Sequence, residues 1–100
     1  TLIYVPVFIG GRHRGAGMGP AALKVAELPE QITKLGFRVA CEVEIAQPPA
    51  KCWFDRDDDI AARCVPEVSS MSEELAAAVE GAMEAGTIPV TIGGDHSLAI

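Results

Sequence analysis

Leu2-Ile-Tyr-Val-Pro-Val-Phe-Ile9 is apolar at nearly every position and rich in β-branched and aromatic side chains. A strand with one wet face alternates apolar and polar residues. An unbroken apolar run of this length marks a strand covered on both faces, as in a parallel sheet. Pro6 cannot donate to a ladder, so it predicts an edge position, a bulge or an early end to the strand. Gly10 to Gly19 follows as a glycine-rich loop carrying Arg12, His13 and Arg14. Pro20 suits the first position of a helix, where its missing N–H is harmless. That helix runs through Leu28, breaks at Pro29, resumes for a turn or two to Leu35 and stops at Gly36.

Phe37 to Ile45 reads as a second strand. Val39, Cys41, Val43 and Ile45 share one face, and Arg38, Glu42 and Glu44 make the other more polar. One solvated face places this strand near the edge of the sheet. Ala46 to Ser70 is irregular: Pro48-Pro49 opens it, Asp55-Arg-Asp-Asp-Asp59 crosses it and Pro66 closes it. Asp55, Asp57 and Asp59 have the spacing of a calcium loop, but the glycine and the final glutamate of that loop are missing, so a solvated surface loop is expected. Ile60 to Cys64 has room for one helical turn, and Cys52 with Trp53 reads as a buried anchor or a contact patch. Ser70 and Glu73 form a capping box, with Ser72 an alternative cap. Leu75, Ala78, Val79, Ala82 and Met83 then recur at helical spacing until Gly86, and Ile88 to Ile92 is a third apolar strand. Strand, helix, strand, helix, strand implies right-handed crossovers. The expected architecture is α/β: three layers, with a parallel sheet between helices on its two faces.

The chain has 100 residues, 8 Lys plus Arg against 14 Asp plus Glu, and a net charge of −6. Hydrophobic residues make up 49% and the mean hydropathy is +0.25, which excludes a disordered chain. An acidic chain does not neutralise phosphates, so neither nucleic acid nor an anionic membrane surface is expected as a partner. No apolar run approaches the roughly 18 to 20 residues that span a bilayer, and no basic segment precedes a cleavage site. Three cysteines without a C-x-x-C pair predict a reduced, cytoplasmic setting. The chain opens inside an apolar run and closes a few residues into a new element. The expectation is an amino-terminal fragment, residues 1–100, of one longer α/β domain, whose surplus apolar residues pack on the remaining chain or on another subunit.

Ligands of open α/β sheets gather beyond the carboxyl ends of strands. Gly93-Gly-Asp-His-Ser97 sits there, directly after the third strand. Gly93 and Gly94 permit a sharp turn and a close approach. His96 is a candidate metal ligand through a neutral imidazole nitrogen. Asp95 is either a supporting carboxylate or the cap of the next helix, and Ser97 completes the motif. The Gly10–Gly19 loop looks like a nucleotide loop but fails the pattern, because Pro20 stands where G-x-G-x-x-G needs glycine or alanine, and no Gly-Lys-Ser/Thr occurs. Its Arg14, Gly15 and Gly19 are expected to line the cleft.

Taken together, these segments resemble the arginase–agmatinase (ureohydrolase) family along the whole chain. The resemblance rests on the opening strand, on Arg14-Gly-Ala-Gly-Met-Gly-Pro-Ala-Ala-Leu23, on Leu35-Gly-Phe-Arg-Val39 and on Gly93 to Ser97. Arg14-Gly15 and Leu98-Ala-Ile100 look more like arginases than agmatinases. The resemblance implies a hydrolase with two manganese ions bridged by hydroxide, acting on a guanidino substrate, most simply L-arginine to L-ornithine and urea. It implies His96 as one manganese ligand, and a homo-oligomer. The family's Asp-x-His-x-Asp and Asp-x-Asp segments are absent from these residues. One imidazole cannot hold two hard cations, so the 100 residues alone are expected to bind no metal pair and to be inactive. Agmatinase or formimidoylglutamase activity is the alternative within the family. A non-catalytic α/β binding module is the alternative outside it.

Overall fold

A computed structural model describes residues 1–54 and 64–99. Three parallel strands form one sheet in the order β2-β1-β3: β1 is Leu2–Val5, β2 is Glu42–Glu44 and β3 is Val90–Gly93. Leu2, Ile3 and Tyr4 stand opposite Glu42, Val43 and Glu44 on one side, and Leu2 to Val5 stand opposite Val90 to Gly93 on the other. The central strand is the one with the unbroken apolar run. It ends before Pro6, so the missing N–H falls outside the ladder and costs no strand bond. Val7, Phe8 and Ile9 remain buried beyond the strand, as part of the loop's floor.

Alternate residues of β1 feed two cores. Ile3 and Val5 pack with Met71 and Leu75 of α4 (Val65–Glu84). Leu2 and Tyr4 pack with Ile92 and, partly, with Leu28 and Ile32 of α2 (Leu28–Lys34). Helices therefore cover both faces, as the three-layer reading requires. The first helical segment is split into α1 (Gly19–Val25) and α2, and each carries a proline in its first turn. The break therefore falls at Ala26 and Glu27 rather than at Pro29, which lies in the first turn of α2. Glu27 makes the corner in the left-handed region, at φ 56°.

Several boundaries differ from expectation. The second strand is only Glu42–Glu44, with the Leu2 amide donating to the Cys41 carbonyl at 2.9 Å just ahead of it, and Phe37 is exposed. Cys41 is exposed as well. The long helix begins at Val65 rather than at Ser70, with Pro66 in its first turn. Ser72 does not cap it; its hydroxyl donates to the Val68 carbonyl at 2.9 Å, within the helix. Lys51–Phe54 forms a short helix, α3, inside the stretch read as irregular. Met83 and Ile88 are exposed despite their apolar pattern. The aspartate cluster and residues 60–63 lie outside the described residues. Among the described residues no helix is long and apolar enough to cross a membrane.

The expectation of three reduced cysteines is corrected. Cys52 and Cys64 form a disulfide with Cα atoms 5.3 Å apart, and Cys41 is free. Their sequence separation of 12 matches no short redox or metal motif, so only the fold brings them together. Closing a loop of that length constrains the unfolded chain by about 3 kcal/mol.

Tyr4 is buried but keeps its phenol bonded, donating to Glu42 Oε1 at 3.0 Å. Lys24 Nζ lies 4.3 Å from the ring centroid and pairs with Glu44. Burial, then the Glu42 carboxylate, pushes the phenol up to about 12. The folded state holds this proton more tightly than the unfolded state does. The associated stability is therefore complete below pH 10 and is lost as the pH rises towards 12. Ultraviolet titration of the one tyrosine in these residues should give a midpoint near 12, and Glu42→Gln should lower it.

Candidate functional site

β1 and β3 are neighbours and parallel, so their carboxyl ends open side by side. The glycine loop leaves one end and the Gly93–Ser97 loop leaves the other. Asp95 ties them together. Its amide donates to the Val7 carbonyl at 3.0 Å. Its Oδ2 accepts from the Gly10 amide at 3.0 Å, and its Oδ1 accepts from the Ser97 amide at 2.9 Å and from the Ser97 hydroxyl. The carboxylate therefore caps the short 3-10 turn His96–Ala99 and docks the other loop at the same time.

Space for a side chain is short where the loops cross, and shortest against backbone at Gly94. A Cβ on Gly94 would run into the Val7 carbonyl oxygen and lie 2.8 Å from that of Ala16. A Cβ on Gly93 would overlap Leu98, and one on Gly19 would lie 3.0 Å from the Gly93 carbonyl oxygen. Gly10 and Gly11 lie against Ser97 and Asp95 in the same way. The sequence singled out Gly93, Gly94 and Gly19. It left Gly10 and Gly11 without a role, although their adjacency at the end of an apolar run was the available signal. Gly15 has open space around it.

His96 is exposed, and its imidazole makes no hydrogen bond among the described residues. Its backbone is held on both sides, by the Asp95 amide and the Ser97 amide, while its imidazole is left unengaged. Among the described residues no three His, Cys, Asp or Glu side chains converge as a metal site would need. Asp95 already takes three donors. The donor set thus offers one imidazole and does not by itself fit a metal pair.

Beside this junction lies a cleft of about 670 Å³. Arg14, Gly15, Gly17, Gln47 and Phe54 line it, with Phe8 at its base. Of the three loop residues assigned to the cleft, Arg14 and Gly15 reach it, whereas Gly19 sits at the loop crossing. The Arg14 guanidinium lies 5.4 Å from the centroid of the Phe54 ring. Trp53 stacks edge-on to Phe8 at 5.5 Å and to Phe54 at 5.2 Å, and its Nε1 donates to the Gly11 carbonyl at 3.3 Å. Trp53 is half-buried and works as an anchor between the cleft wall and the glycine loop.

The profile of the Arginase family matches residues 1–100. The chain belongs to the arginase family. An arginase of Bacillus caldovelox is 33% identical over 100 residues, which is 100% of this chain and 33% of that protein. Arginase-1 of Rattus norvegicus is 33% identical over 102 residues, covering 99% of this chain and 30% of that one. The crystal structure of the Bacillus caldovelox arginase superposes with a TM-score of 0.77 at 32% identity, over 98% of this chain and 32% of the other. A Bacillus subtilis arginase structure gives 0.71 at 28% identity, over 98% and 29%. The chain thus spans about a third of the length of the arginases it matches. The match to the Bacillus caldovelox arginase runs over the whole of this chain and so includes the Gly10–Gly19 and Gly93–Ser97 loops.

Gly94→Ala should destabilise the chain by about 2 kcal/mol or more, since backbone oxygens on both sides must move. Gly15→Ala, in open space, should stay within about 0.5 kcal/mol of the parent. Urea denaturation midpoints read both.

Proposed function

We propose that this chain is the amino-terminal third of a manganese-dependent ureohydrolase, and that the complete enzyme hydrolyses L-arginine to L-ornithine and urea. The observation that carries the reading is the placement of His96. It is an exposed, unengaged imidazole on a backbone fixed by its neighbours, at the carboxyl end of β3. A ligand must offer a free ring nitrogen, and an exposed imidazole without a bonding partner can offer one. His96 would be one ligand to the metal pair, with Asp95 and Ser97 positioning it and the remaining donors supplied from elsewhere in the enzyme. When bound, such a pair supplies an activated water.

Arginine is preferred over agmatine as substrate because the similar proteins are named arginases. A single domain larger than these residues is supported by the large apolar side chains left in water. Val25 is 85% exposed, Ile88 82% and Leu35 75%. Surfaces of that kind normally meet another part of a fold.

The test is urea release by the full-length protein with manganese and L-arginine, with agmatine in parallel. Activity should appear with arginine, and His96→Ala should lower manganese affinity by at least about 10- to 100-fold, the loss seen even for groups behind the ligands. Residues 1–100 alone should release no urea. Unchanged manganese affinity in His96→Ala would remove His96 from the metal site.

A further inference from the structure

Cys52 belongs to α3, the four-residue helix Lys51–Phe54 whose last residue, Phe54, lines the cleft. Four residues make one helical turn, too short to persist without tertiary support. Trp53 and Cys52 provide part of that support. Trp53 packs on Phe8 and donates to Gly11. The disulfide joins Cys52 to Cys64, which precedes α4, is 4% exposed and lies in the core with Met71 and Leu75. Cys64 holds a left-handed backbone, at φ 63°, while acting as the first residue before the helix. The two cysteines differ in access, since Cys52 is half-buried and Cys64 is buried.

We propose that Cys52–Cys64 is a reversible thiol–disulfide switch that sets the position of α3, and with it of Phe54 at the cleft, and that a dithiol operates it. The thiolate of the dithiol attacks the sulfur of Cys52, the more accessible cysteine. The Cys52–Cys64 bond breaks, Cys64 leaves as a thiolate and takes a proton, and a mixed disulfide forms on Cys52. The second thiol of the reductant then attacks its own linked sulfur and releases Cys52. Two electrons and two protons pass to the protein, and the dithiol leaves as a disulfide. Cys64 remains in the core as a small apolar residue. α3 loses its covalent tie to α4 and keeps only non-covalent contacts, those of Trp53 foremost. α3 contacts Arg14 through Phe54 and the glycine loop through Trp53, so its release loosens one side of the cleft. The switch is independent of the hydrolase chemistry proposed above.

The test uses the full-length protein, oxidised and then treated with dithiothreitol, followed by return to an oxidised-glutathione buffer. Alkylation with peptide mass mapping reads the thiols. Hydrogen exchange reads the amides of Trp53 and Phe54, both bonded to the Ala50 carbonyl. Free cysteines among residues 1–100 should rise from one to three on reduction and return to one. Exchange at residues 50–54 should speed up on reduction and recover on oxidation, and exchange within β1 should not change. Cys52→Ser should match the reduced protein and cease to respond, whereas Cys41→Ser should respond like the parent. Two results would overturn the proposal: Cys52 and Cys64 that never link in the oxidising buffer, or a disulfide that forms and breaks with no change in exchange at residues 50–54. Both are read on the unmutated protein, so they hold even where a variant folds poorly.

Discussion

The Asp95 carboxylate holds the site together. Three donors reach its two oxygens, from Gly10 and from Ser97, and its own amide is fixed to Val7. Hydrogen bonds to a charged group contribute roughly 1.5–3 kcal/mol each, so one side chain outweighs the looseness of two glycine-rich loops. The arrangement is possible only because β1 and β3 are adjacent and parallel, with their ends at one level. It also decides what is left over. Asp95 is fully engaged by the fold, and His96 beside it is not.

The level of those strand ends depends in turn on β1. Its residues divide strictly between the two cores: Ile3 and Val5 towards α4, Leu2 and Tyr4 towards α2. A one-residue slip would reverse that division and bury the phenol of Tyr4 on the wrong face. Tyr4 tolerates burial because its oxygen reaches the sheet edge, where Glu42 accepts from it and Lys24 covers the ring. The same residue therefore fills the core and links β1 to the outer strand.

Much of this was legible in the sequence, and the failures have physical causes. The unbroken run Leu2–Ile9 correctly marked a strand covered on both faces, and the alternating charges of Glu42 and Glu44 correctly marked an edge. The start of α4 was misplaced because Ser70 and Glu73 satisfy a capping pattern that the chain does not use. Pro66 is as good a helix start, and the covalent tie at Cys64 fixes the entry. The disulfide itself leaves no local trace, since it depends on where α3 lies against α4. Ile88 and Met83 follow apolar patterns yet stand in water, because periodicity reports which face is apolar and not whether anything covers it. At the site, the glycines could be read from type alone, but the partner of each could not.

The pairing of Met18-Gly-Pro20 with Gly93-Gly-Asp-His-Ser97 has a direct mechanical basis. The first segment looks like a helix start and the second like a strand end, and neither by itself requires the other. In the fold they are one contact: a Cβ on Gly19 would press on the Gly93 carbonyl oxygen at 3.0 Å, and Gly94 has no room for one because of Val7 and Ala16. Met18, by contrast, is 70% exposed. The glycines of the two segments are thus set by a shared steric limit, while Met18 and His96 are side chains presented outward from it. The crossing fixes the backbone on either side of His96, and its imidazole, the candidate ligand, is left exposed.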